Sequence, residues 1–137
     1  MFRPKAALKR ALQNLFPTVL ETFVRYRAKH LPRREVFAKI YRKNLWLDSE
    51  SRSGVGSRVT ETRNVSSALP RLLRELNVRT LLDAPCGDLN WIRHVELGPI
   101  TYLGADIVPA LISDHTERFA GVSPSGTAYK FQVLDLV

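Results

Sequence analysis

The sequence predicts an α/β fold, and three observations carry that prediction. Up to residue 79 the apolar residues recur at helical steps, with little strand-like alternation. From residue 80 three short apolar runs alternate with two helical stretches. An acid closes each run: Asp83, Asp106 and Asp135. Strand–helix alternation of this kind calls for parallel strands joined by crossovers and covered by helices.

Residues 1–31 read as a basic amphipathic helical extension. Leu8, Leu12, Leu15, Phe16, Val19, Leu20, Phe23 and Val24 recur at three- and four-residue steps with Arg and Lys between them. Pro17 kinks or divides this stretch. Three readings are open for it: a helix packed on its own domain, a helix on an anionic membrane surface or acidic partner, or a cleaved targeting segment. Residues 32–79 read as a helical cap with a Ser/Gly loop. Val36, Phe37, Ile40 and Tyr41 form one stripe, running toward Leu45 and Trp46. Residues 48–60 have loop composition. A further helix carries Val65, Leu69, Leu72, Leu73 and Leu76 on one face, with Asn77 as its stop.

Residues 80–137 carry the alternation. Thr80–Ala84 is a nearly continuous apolar run, as for a strand buried on both faces. A turn at residues 85–88 and a short helix around residues 90–95 lead to a second strand at residues 101–106. Pro109 suits the first turn of a helix that includes Leu111, Ile112 and Phe119. After a loop at residues 123–126, residues 129–135 form the third strand.

The charge is uneven. The net charge is +8, but residues 1–58 hold 14 Lys/Arg against four acids, and residues 59–137 hold seven against nine. The basic excess is thus an N-terminal property, which argues against a uniformly basic nucleic-acid binder. The single cysteine, Cys86, excludes an intramolecular disulfide and a multi-cysteine zinc site. It follows a strand with no activating base nearby in sequence and reads as packing. His30, His94 and His115 have no metal-ligand spacing, so no metal is expected. No apolar run approaches the ~18 residues of a membrane-spanning helix. A cytoplasmic protein is expected, membrane-peripheral if the extension docks on lipid.

The three acids carry the chemistry. They are spaced 23 and 29 residues apart, one strand–helix unit each. Ligands of open parallel sheets bind outside the carboxyl ends of the strands. An acid about 20 residues after a glycine-bearing first turn grips ribose hydroxyls. The plain alternative for any one of them is a turn or cap residue. Residues 85–90 read Pro-Cys-Gly-Asp-Leu-Asn, which lacks the Gly-x-Gly-x-x-Gly of a dinucleotide site. Asp88 would repel a pyrophosphate. A ligand bearing an ammonium and a sulfonium tolerates these acids, and S-adenosyl-L-methionine is such a ligand.

Residues 81–92, Leu-Leu-Asp-Ala-Pro-Cys-Gly-Asp-Leu-Asn-Trp-Ile, resemble the first motif of class I S-adenosylmethionine-dependent methyltransferases. The likeness is to a bacterial branch whose loop reads Asp-x-Pro-Cys-Gly-Asp-x-Asn-Trp. Pro85 and Leu89 stand where the general motif, acid-x-Gly-x-Gly-x-Gly, has glycine. Upstream, Ile40-Tyr41, Asn44, Trp46 and the stretch from Ser53 to Thr60 resemble the same branch, so the likeness covers roughly residues 36–137.

The resemblance implies a partial Rossmann-like methyltransferase sheet of three parallel strands in the order 3-2-1. It implies that Asp83 and Gly87 line the methionyl end of the cofactor, that Asp106 binds the ribose hydroxyls, and that Asp135 meets the adenine. The Gly87 turn and the helix after it would offer N–H donors to the methionyl carboxylate. Asp88 would reach the ammonium or cap the helix. Ser53, Gly54, Gly56 and Ser57 would form a flap, or else a surface loop. Trp91 reads as core. Such domains carry seven strands, so the expectation is the N-terminal portion of a truncated domain, inactive alone, with catalytic residues and the small-molecule methyl acceptor unassigned. Two other function classes stay open: a dinucleotide-dependent oxidoreductase, and a non-catalytic basic module for nucleic acid or anionic membrane.

Overall fold

A computed structural model describes residues 31–136. Residues 1–30, which hold almost all of the basic extension and its three readings, lie outside the described residues. Helix α1 spans Arg33–Lys43. Its stripe turns Ile40 into the protein, while Phe37 stays 44% exposed. Asn44 ends the helix in the left-handed region, φ 47, with its N–H on the Ile40 and Tyr41 carbonyls.

Helix α2 spans Arg63–Glu75. Leu73 is buried and Leu69, one turn earlier, packs beside the core. The apolar face expected here is only partly used, because Val65, Leu72 and Leu76 are exposed. Residues four apart stack on one line of a helix, and this helix meets the core along the Leu69–Leu73 line at the edge of its stripe. Asn77, at φ 50, closes the helix as the sequence predicts. Val78 then returns its N–H to the Leu73 carbonyl at 2.9 Å.

Strand β1 is Thr80–Asp83, β2 is Thr101–Asp106, α3 is Pro109–Phe119, β3 is Gly121–Val122 and β4 is Ala128–Val133. They form one four-stranded sheet in the order β1-β2-β4-β3. β1 runs parallel to β2 with Asp83 opposite Gly104, and β2 runs parallel to β4 with Asp106 opposite Val133. β3 is antiparallel to β4. The protein is thus mixed α/β with a mostly parallel sheet.

Three sequence expectations need correction. The sheet has four strands rather than three. The added strand, β3, has only two residues and shows no period. The Ser123 carbonyl accepts the Gly126 N–H and its Oγ accepts the Thr127 N–H, which folds the chain back into β4. β1 is not buried on both faces, and Leu82 is 53% exposed. Among the described residues β1 pairs with β2 alone, so it is an edge. The short helix expected around residues 90–95 is present as a 3₁₀ helix at Ile92–His94. Finally, Asp135 lies two residues beyond the end of β4 and does not close it.

The core gathers Leu73 of α2, Tyr102 of β2, Ile112 of α3 and the buried Leu89, Ile92, Val95 and Leu97 of the β1–β2 connection. Period-two alternation sets Tyr102, Gly104 and Asp106 on one face of β2. The Phe131 ring lies across Gly104: a Cβ there would come within 2.8 Å of it and 3.0 Å of Tyr102. Gly104→Ala should therefore lower stability by about 1–3 kcal/mol through overpacking. A urea midpoint equal to that of the parent would show that the ring has room to move.

Candidate functional site

The carboxyl ends of β1 and β2 open into a cleft of ≈ 270 Å³. Asp83, Gly87 and Asp106 line it from the sheet side. Ser53 and Ser57 line it from the loop before α2. Phe37, Tyr41, Trp46 and Trp91 supply an aromatic wall, with Arg52 beside them. The Arg52 guanidinium carbon sits 5.6 Å from the Tyr41 ring centroid.

Gly87 organises the floor. It sits at φ 55, where a side chain is strained, and a Cβ there would collide with Ser53 Oγ. Its N–H donates to Asp106 Oδ2 at 3.2 Å. Its carbonyl accepts from His115 Nε2 at 2.7 Å, which fixes a proton on that nitrogen. The next N–H, of Asp88, donates to Ser53 Oγ at 2.9 Å. The Gly87 and Asp88 N–H groups are thus engaged inside the protein, whereas the resemblance has this turn and the helix after it offer N–H donors to a ligand carboxylate. Leu89 takes the left-handed conformation, φ 56, and buries its side chain in the core.

Asp88 does not line the cleft; it clasps the loop before α2. Ser51 Oγ donates to both carboxylate oxygens at 3.0 and 2.9 Å, and the Arg52 N–H donates at 2.7 Å. A second clasp lies beside it. Asn90 Nδ2 donates to Glu50 Oε1 and to the Ser57 carbonyl, both at 2.8 Å. The loop is braced internally by the buried Asp48, which accepts Glu50 and Ser51 N–H groups at 2.9 Å and pairs with Arg58. The Arg58 hydrogen bond, helped by the Ser51 N–H, holds the Asp48 carboxyl down at about 2.

The two strand-end acids differ. Asp106 is buried, and besides Gly87 it accepts the Val108 N–H on Oδ1 at 3.0 Å, which fixes the entry to α3. Asp83 accepts the Tyr102 hydroxyl at 2.5 Å. Burial raises the Asp83 carboxyl pKa, the Tyr102 hydrogen bond opposes that, and Asp106 adds to it. The Tyr102 hydroxyl is pushed up by its own burial and by the Asp83 charge. Burial also pushes the Cys86 thiol up to about 12, far from a working thiolate, in keeping with packing.

Of the residues singled out by sequence, the cleft brings together Asp83, Gly87, Asp106, Ser53 and Ser57. It leaves out Asp88, Gly54, Gly56 and Asp135. Asp135 is half-exposed and pairs with Arg33 at 3.0 Å. Trp91, expected in the core, packs against it and also lines the cleft. Sequence reasoning missed Tyr41, Arg52, Tyr102 and His115. Tyr102 had a readable signal, because it shares the β2 face of Asp106 by alternation. Arg52 and His115 had none. The chain matches no family model, no curated protein and no solved structure.

Two outcomes are expected. Gly87→Ala should cost at least about 1–2 kcal/mol from the left-handed backbone alone. It should also speed amide exchange at Asp88 as Ser53 is displaced; unchanged exchange at Asp88 would separate the clasp from Gly87. The second concerns acid. The Asp48 carboxyl is held below its ordinary value of 3.8, so its stabilisation is present above about pH 4 and fades as pH falls through about 2. Urea midpoints of the parent and Asp48→Asn should therefore converge toward pH 2; parallel curves from pH 5 to 2 would contradict the assignment.

Proposed function

We propose that the strand-end cleft binds S-adenosyl-L-methionine, and that residues 80–137 belong to the cofactor-binding portion of a methyltransferase with a Rossmann-like sheet. The observation behind this reading is Asp106. It is buried at the end of β2, faces the cleft, and accepts one backbone N–H on each oxygen. A carboxylate offers about four lone-pair sites, so two remain for a vicinal diol such as that of ribose.

The other lining residues suit the same ligand. Among the described residues, Asp83 and Asp106 give the cleft two acids against one cation, Arg52. Four aromatic rings favour an onium group by cation–π attraction. With the Gly87 and Asp88 N–H groups engaged, Arg52 is the group that would pair with the methionyl carboxylate. The volume falls just under the ~300–1,000 Å³ of small-molecule sites and matches a nucleoside-sized group. The sequence motif at residues 81–92 points the same way. When bound, the cofactor supplies an electrophilic methyl group. The residues of the chain bind and orient it: Asp106 the ribose, Asp83 the ammonium, Ser53 and Gly87 the wall beside them. Positioning of this kind is worth up to ~7–11 kcal/mol in reactions between held partners. A small-molecule methyl acceptor completes the reading.

Calorimetry of the full chain with S-adenosylhomocysteine tests it. Asp106→Asn should weaken binding by about 10- to 150-fold, the loss of a charged hydrogen-bond pair. Unchanged affinity in a folded variant would remove Asp106 from the site. Binding of a nicotinamide dinucleotide without S-adenosylhomocysteine would instead make the cleft that of an oxidoreductase.

A further inference from the structure

A second cleft, ≈ 390 Å³, lies between the β1–β2 connection and the end of α3. Its apolar lining comes from Leu89 and Ile92 on one side and from Phe119, Val122 and Tyr129 on the other. Its cationic lining is Arg93 and Arg118, with the neutral His94 ring beside them, and among the described residues no acid lines it. This is the reverse of the strand-end cleft, where two acids face one arginine. The volume falls within the range of small-molecule sites.

The cations are held in place. Arg93 Nε donates to His94 Nε2 at 3.1 Å, which leaves the His94 proton on Nδ1. The Arg118 guanidinium carbon stands 5.0 Å from the Phe119 ring centroid, and Nη1 pairs with Asp114 at 3.0 Å. Asp114 sits one turn back on α3, outside the cleft lining, and its pair with Arg118 is solvent-exposed. An exposed pair of this kind contributes little, so an anion inside the cleft can compete for the same guanidinium. Arginine forks match carboxylate geometry.

We propose that this cleft binds a small organic anion: a carboxylate, or a similar oxyanion, on a flat apolar body. The body would lie among Leu89, Ile92, Phe119 and Tyr129, with the anion between Arg93 and Arg118. The proposal stands apart from the methyltransferase reading, because it uses neither Asp83, Gly87 nor Asp106.

The test uses 2-naphthoate with the full 137-residue chain, read by amide chemical shifts. Saturable shifts are expected at residues 89–94 and 118–123, with Gly87 and Asp106 unmoved. The neutral isostere 2-naphthalenemethanol should bind about tenfold more weakly or worse, and Arg93→Gln with Arg118→Gln should weaken naphthoate by a similar factor. Both arginines are exposed, and the isostere comparison needs no variant. Equal binding of acid and alcohol, absence of saturable shifts, or displacement by S-adenosylhomocysteine would overturn the proposal. Displacement by phosphatidylglycerol vesicles would overturn it in favour of a lipid surface.

Discussion

The Gly87 peptide is the joint on which the site depends. Its N–H is held by Asp106 at the end of β2, its carbonyl by His115 of α3, and its missing side chain makes room for Ser53 of the distant loop. Three segments far apart in sequence therefore meet at one residue. Each contact restricts the others. If the Gly87 φ and ψ change, Asp106 loses a donor and the buried His115 ring loses its one hydrogen bond, because His115 Nδ1 has none among the described residues. An orphaned buried polar group is costly, so the turn holds a single arrangement.

The clasp beside it extends the same logic. Asp88 gathers the Ser51 hydroxyl and the Arg52 N–H, and Asn90 gathers Glu50 and Ser57. The loop before α2 has few apolar residues with which to pack. Val55 and Val59 are exposed, and polar bonds hold the loop instead. Those bonds place Ser53 and Arg52 at the cleft. Charge-assisted bonds to a carboxylate are the stronger kind, which suits a segment with so little apolar contact.

Much of this was legible in the sequence where a residue reports its own local rule. The change of period at residue 80 marks the parallel strands, and Asp83 and Asp106 follow as their ends. Asn77 and Pro109 mark helix boundaries by their own backbone preferences. Asp135 was misjudged because β4 stops at Val133, and nothing in the run Val-Leu-Asp-Leu-Val signals where pairing ends. β3 is too short to show a period. Leu89 hid a turn that composition could not reveal, since burial of its side chain offsets the cost of a conformation leucine rarely takes. The role of Asp88 was hidden for a different reason. Its partners lie 36 and 37 residues away in a loop whose composition says only that it is a loop.

Charge divides the surface around the sheet into two kinds of place. At the strand ends, Asp83 and Asp106 share a partly buried cleft, and the Asp106 charge adds to the burial that makes Asp83 harder to ionise. A cation entering there relieves that repulsion, while an anion meets it. The Tyr102 hydroxyl opposes the rise in the Asp83 pKa by donating to the charged form of Asp83. In the other cleft Arg93 and Arg118 stand beside apolar walls with no lining acid among the described residues, and in the proposed role the preference reverses. In the proposed roles a ligand suited to one cleft is repelled by the other. Discrimination of that sort needs no shape difference, only the placement of like charges against the wrong occupant.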